Sequence, residues 1–226
     1  MDEEATNRKR VPRKLKGRNE QLARSRILES SFFARDTVEV AVDLLGKYLV
    51  RTKGASRMVA RIVEVEAYRG SDDPASHAFR GLTTRNAPMF GDPGHAYIYF
   101  TYGNHYCLNV TTQAPGTPGA VLFRAVQPVE GISAMRFFRP NVSDSELTNG
   151  PGKLTKALAI SKSLNQQDMT LRGPLFVTDR GKSNFEIWSS TRVGIRSGLD
   201  RLWRFYINGN PYVSKKGGLR EQQLLR

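Results

Sequence analysis

Cysteine occurs once in 226 residues, at Cys107, which excludes an internal disulfide and a cysteine-built zinc centre. Histidine occurs three times, at His77, His95 and His105, without HExxH-type spacing, so neither a metal nor another cofactor is expected. No apolar run approaches the ~18 residues of a membrane span. The opening MDEEATNRKR lacks the apolar stretch of a secretory signal. Acidic residues are the minority, 21 Asp/Glu against 35 Lys/Arg, for a net charge of +14. Hydrophobic residues at 39% and charged residues at 25% are enough to build one core and exclude wholesale disorder.

The surplus charge is unevenly spread. Residues 1–26 carry nine Lys/Arg against four Asp/Glu and read as a disordered basic arm. Residues 215–226 read as a basic C-terminal tail. The stretch between them holds the remaining net +6, so it is basic in its own right, though far less densely than the ends. A polyanionic partner follows, nucleic acid before membrane, because no amphipathic basic helix is evident. Charge kept only for solubility is the alternative.

Asp36-Thr-Val-Glu39 forms a capping box, with Val38, Ala41, Val42 and Leu45 predicted on one helix face and Gly46 as the stop. Lys47–Thr52 and Val59–Tyr68 read as strands. In the second, Val59, Val63, Val65 and Ala67 face one side and Ile62, Glu64, Glu66 and Tyr68 the other. Gly103-Asn104 predicts a two-residue turn between strands Ala96–Tyr102 and His105–Thr111. Ala120–Val126, Leu175–Val177 and Trp203–Ile207 are further strands. Gly150-Pro-Gly precedes a helix whose stripe takes in Leu154, Ala157, Leu158 and Leu164. Many strands and few helices indicate a mixed α/β (α+β) single domain and not a parallel Rossmann sheet.

Glu64 and Glu66 share a strand face. A solvated strand edge is one reading; a carboxylate among aromatics acting as general base is the other. Tyr97, Tyr99, Tyr102 and Tyr106 crowd the hairpin around His105, as a base-stacking or wedge surface on a basic protein would. Arg124 interrupts an apolar strand and needs a partner, structural or functional. Lys153 stands at a helix start without the glycine pattern of a Walker motif. Cys107 reads as a packed thiol without a role.

Several segments together resemble the alkyladenine (3-methyladenine) DNA glycosylase family. They are Arg61-Ile-Val-Glu-Val-Glu-Ala-Tyr68, Pro93-Gly-His-Ala-Tyr-Ile-Tyr-Phe-Thr-Tyr-Gly103, Cys107-Leu-Asn109, Val121-Leu-Phe-Arg124, Gly150-Pro-Gly-Lys-Leu154 and Arg204-Phe-Tyr-Ile207. The resemblance covers Leu28 to Ser214, in order, and places a glycosylase domain at 27–214. It implies a curved antiparallel β-sheet with surrounding helices and a protruding β-hairpin. It also implies a monofunctional, cofactor-free enzyme that flips alkylated or deaminated purines out of double-stranded DNA and leaves an abasic site. Glu66 then resembles the general base and Arg124 its partner in placing water and sugar. Tyr68, His77, Tyr99 and Asn109 resemble the base pocket, with Asn109 screening purines. Tyr102 resembles the intercalating wedge, and Asn104, His105 and Lys153 the DNA contacts around it. Asn104-His105 departs from the larger apolar or aromatic residues expected after the wedge. A strict two-residue turn would also pair Asn109 with Ile98, on the face opposite Tyr99. One shared pocket therefore requires a bulge or a longer turn.

A sugar-directed glycoside hydrolase using Glu64 and Glu66 is disfavoured by the charge and by the lack of a Trp-lined cleft. A non-catalytic damaged-DNA or RNA-binding module is the remaining alternative. A monomer without membrane attachment is expected, on the nucleoid if the source is bacterial and in the nucleus if it is eukaryotic.

Overall fold

A computed structural model describes residues 25–101, 103–181, 184–214 and 221–224. The chain builds a ten-stranded antiparallel sheet with four helices packed around it. The strands are β1 (Arg26–Ile27), β2 (Tyr48–Lys53), β3 (Ser56–Tyr68), β4 (Ala96–Thr101), β5 (His105–Thr111), β6 (Ala120–Glu130), β7 (Leu175–Asp179), β8 (Ile187–Ser190), β9 (Arg204–Ile207) and β10 (Glu221–Leu224). The helices are α1 (Ser30–Phe33), α2 (Thr37–Leu44), α3 (Ile132–Phe138) and α4 (Pro151–Ala157). The main sheet runs β1-β7-β2-β3-β6-β5-β4, and β9 joins β3 to a branch that continues through β8 to β10.

Local chemistry sets these elements. The Asp36 carboxylate caps α2 by accepting the N–H of Val38 at 2.8 Å and of Glu39 at 3.4 Å. Gly46, at φ +81°, turns the chain out of that helix. Val40 and Leu44 are buried with Ala41 and Val42, whereas Val38 is only partly covered. Ala41, Val42 and Leu45 of the predicted stripe are thus buried, and the covered face is broader than predicted, taking in Val40 and Leu44. Gly54, at φ +55°, closes the tight β2–β3 turn. The Leu158 and Leu164 side chains are buried as expected, but α4 ends at Ala157, and Leu164 belongs to a separate 3-10 turn.

Strand β3 organises the site. It pairs with β6 along most of its length, with β2 over its first half and with β9 over Glu64–Glu66. Its register with β6 slips on either side of Glu64, a bulge of the kind that re-aims side chains next to active sites. Glu64 and Glu66 are therefore central and fully buried, which removes the solvated-edge reading. Val63, Val65 and Ala67 share the main core as the alternation predicted. Ile62 joins them there, and Val59 packs instead with Val50 and Phe176, because the bulges shift the phase along the strand. Alternation also cannot show that both faces are covered.

The hairpin pairs Thr101 with His105 and Tyr97 with Asn109. Three positions thus separate the paired ends of the two strands, one more than the Gly103-Asn104 signal predicted. Gly103 takes φ +70° and the Asn104 N–H returns to the Thr101 carbonyl at 3.3 Å. This longer turn brings Asn109 onto the face of Tyr97 and Tyr99. At the ends of the chain, Arg26 already pairs with β7, inside the predicted arm, and β10 lies inside the predicted tail.

Candidate active site

Strands β3, β4, β5 and β6 and the loops after β3 and β8 enclose a cavity of about 350 Å³, a size suited to a small ligand. Tyr68 ends β3, His77 comes from the loop that follows, Tyr99 from β4, and Cys107 and Asn109 from β5. Arg124 from β6 and Val193 from the loop after β8 complete the enclosure. Of the residues singled out in the sequence, Tyr68, His77, Tyr99, Asn109 and Arg124 thus meet in one place, and Glu66 contacts two of their number.

Glu66 is held by three donors. The Tyr68 hydroxyl donates to Oε2 at 2.7 Å, the Val193 backbone N–H donates to Oε1 at 2.7 Å, and Arg124 Nη1 lies 3.3 Å from Oε1. Burial, then the Glu66 charge, push the Tyr68 phenol well above its usual pKa, so it remains the donor. Arg124 is in turn anchored at its other edge, where Nε donates to Glu64 at 2.8 Å. It is an ion-pair residue and a cavity residue at once. Glu64 also receives Arg204 Nε at 2.8 Å, the Ser214 N–H at 2.7 Å and the Ser214 hydroxyl at 2.8 Å.

The aromatic walls are locked to each other. His77 and Tyr99 rings meet edge to face at 4.7 Å, and the Tyr97 and Tyr99 rings lie 5.4 Å apart. His77 Nδ1 bonds the Tyr97 hydroxyl at 2.8 Å. Burial, reinforced by the Arg85 charge, lowers the His77 pKa and favours the neutral ring. Asn109 donates its amide to the Tyr97 carbonyl at 2.9 Å, which fixes the side chain against the cavity. Cys107, read as a packed thiol, is buried and lines this cavity too.

The remaining candidates lie elsewhere. Asn104, His105 and Lys153 border a second opening of about 1040 Å³. It shares Thr101, Cys107, Arg124 and Val193 with the first, so the two adjoin. The His105 ring packs over Gly152, where a Cβ would stand 2.6 Å from the ring. Lys153 Nζ donates to Asn149 at 2.8 Å. Tyr102 lies outside the described residues. Among the described residues, no group of three or more His, Cys, Asp or Glu side chains could hold a metal ion, and no helix is long and apolar enough to cross a membrane.

Sequence reasoning missed Asp73, Arg192 and Val193. Asp73 lies in a polar, turn-rich stretch, Gly70-Ser-Asp-Asp-Pro74, and Arg192 and Val193 lie in a segment without periodicity.

Residues 31–211 match the model of the methylpurine-DNA glycosylase family. A protein of Carboxydothermus hydrogenoformans is 50% identical over 192 residues, spanning 84% of this chain and 100% of the relative. One of Methanocella arvoryzae is 47% identical over 194 residues, 84% of this chain and 96% of its own. One of Clostridium tetani is 43% identical over 201 residues, 84% and 99% respectively. All three carry the name "Putative 3-methyladenine DNA glycosylase". The chain belongs to the methylpurine-DNA glycosylase family and is a DNA glycosylase, a DNA-repair hydrolase.

Proposed function

We propose that this enzyme extrudes alkylated or deaminated purines from duplex DNA into the 350 Å³ cavity and hydrolyses the N-glycosidic bond with Glu66 as general base. The observation that carries the reading is the placement of Glu66: a fully buried carboxylate with three donors fixing it, beside a cavity walled by aromatic rings.

A purine stacked in a duplex is out of reach, so the nucleotide must rotate out, at a cost of a few kcal/mol. Tyr68, His77 and Tyr99 repay that by stacking, at about 1–3 kcal/mol per base. Tyr102, by its resemblance to the family's wedge, fills the gap left in the helix. Glu66 takes a proton from a water that attacks C1′ as the bond to the purine nitrogen breaks; the electron pair of that bond leaves with the base. A positioned base contributes about 10²–10⁴-fold to such a step. Arg124, pinned between Glu64 and Glu66, steadies the carboxylate and faces the sugar. A methylated purine departs readily because it is cationic, whereas neutral hypoxanthine must gain a proton as it leaves. No lysine is among the residues lining this cavity, and the product is an intact strand with an abasic site.

The test is incubation with duplexes carrying one 3-methyladenine, 7-methylguanine or hypoxanthine, followed by alkali. Strand breaks at the lesion only after alkali support the reading. Absence of release from all three would overturn it, and breaks without alkali would overturn the monofunctional mechanism.

A further inference from the structure

Two loops line the base cavity, one after β3 and one after β8, and a buried ion pair joins them. Asp73 is 0% and Arg192 2% exposed. Arg192 meets Asp73 with both ends of its fork, Nη1 to Oδ2 and Nη2 to Oδ1, each at 2.6 Å. Nη1 also donates to the Ala67 carbonyl at 2.9 Å, which ties the pair to β3. Asp73 accepts the N–H groups of Arg69 at 3.1 Å and Ala75 at 3.2 Å, gathering the turn that leads to His77. Gly198, at φ +67°, passes so close that a Cβ there would stand 2.9 Å from Arg192 Nη2.

The pair reaches Glu66 by two routes. Val193, next in the chain, gives its N–H to Glu66 Oε1. Tyr68, whose hydroxyl holds Oε2, lies with its ring 4.7 Å under the Arg192 guanidinium. Only the Arg124 contact is independent of Arg192. Such a pair is weak evidence for a purely stabilising role, because replacing a buried ion pair with apolar residues is often neutral or stabilising. Arg192 also leaves its buried Nε without an acceptor among the described residues.

We propose that Arg192, clamped by Asp73, is a positioning residue that aims Glu66 and Tyr68 and ties together the two loops that line the cavity. The inference rests on the reading of Glu66 as general base.

The experiment compares Arg192→Met, Arg192→Lys and the charge-neutral double variant Asp73→Asn with Arg192→Gln. Each is checked by thermal melting. Single-turnover base release is measured at saturating enzyme, on the damaged-purine duplex that the wild type cleaves best. Affinity is measured on a duplex with a tetrahydrofuran abasic-site analogue. Arg192→Met and the double variant should lose about 100-fold in single-turnover rate, the scale of a small misplacement of a reacting group. Their affinity for the analogue should stay near that of the wild type, and Arg192→Lys should recover part of the rate. Folded variants at the wild-type rate would overturn the proposal. So would rate and affinity falling together, or failure of all three variants to fold, since either assigns the pair to the core. A wild type that releases no base refutes the functional reading instead, so the two failures are distinguishable.

Discussion

Glu64→Gln tests how the buried charge network supports the site. Glu64 is fully buried, and its two oxygens collect four donors at 2.7–2.8 Å: Arg124 Nε, Arg204 Nε, and the Ser214 N–H and hydroxyl. Glutamine keeps the shape but replaces one acceptor with an NH₂ group that faces donors, and removes the charge that two buried guanidiniums share. Breaking one buried pair from one side costs about 3–5 kcal/mol. Arg124 retains Glu66 and Arg204 retains Ser190, which places the expected loss at the lower end, about 3 kcal/mol. In a domain of this size each kcal/mol moves Tm by roughly 2–4 °C, so the melt should fall by about 6–12 °C. The assay is thermal and urea unfolding across pH. Burial works to raise the Glu64 pKa, but the Arg124 and Arg204 charges and the Ser214 N–H outweigh it and hold the group below its ordinary 4.5. The folded pKa is thus depressed. The stability it contributes is present above pH 4.5 and lost as pH falls through the folded value, so wild type and variant should converge in acid. A Tm within a degree of wild type at neutral pH would refute the reasoning, as would a difference that persists unchanged below the folded pKa.

Other outcomes follow from the same geometry. Asn109→Ser removes part of a side chain fixed against the cavity by the Tyr97 carbonyl; single-turnover release of undamaged guanine should rise relative to hypoxanthine, and an unchanged ratio in a folded variant would exclude a screening role. Deleting residues 1–24, with eight Lys/Arg, should weaken non-specific DNA binding and flatten its salt dependence while leaving single-turnover release intact; a collapse in that rate would place the arm in the site. Because His77 is pushed below 6.5, lesion-duplex affinity measured with Glu66→Gln should cross pH 6.5 without a break, whereas a step there would mean that the imidazole charges in its ordinary range.

Much of the site was legible where local chemistry is strong. Alternation along Val59–Tyr68 put Glu64 and Glu66 on one face, and the capping box placed α2 to within a residue. The register of the hairpin was not legible from Gly103-Asn104 alone, because that dipeptide serves a two-residue turn and a three-residue loop equally well. The need for Asn109 and Tyr99 to share a pocket pointed to the longer turn before the register showed it. Arg192 escaped notice because its meaning lies in Asp73, 119 positions away, and no period in either loop announces the pairing. The same applies to Ser214 and Arg204, which reach Glu64 across 150 and 140 positions. Strand patterns reveal faces but not neighbours, so the insertion of β9 beside Glu64–Glu66 had no local signal.

The most direct test of the central claim is single-turnover base release by wild type and Glu66→Gln, set beside the affinity of each for the same damaged duplex. The account predicts a loss of about 10²–10⁴-fold or more in rate with damaged-DNA binding retained, since the side chain keeps its shape and only the base is removed. A folded Glu66→Gln enzyme that releases purines at the wild-type rate would contradict it.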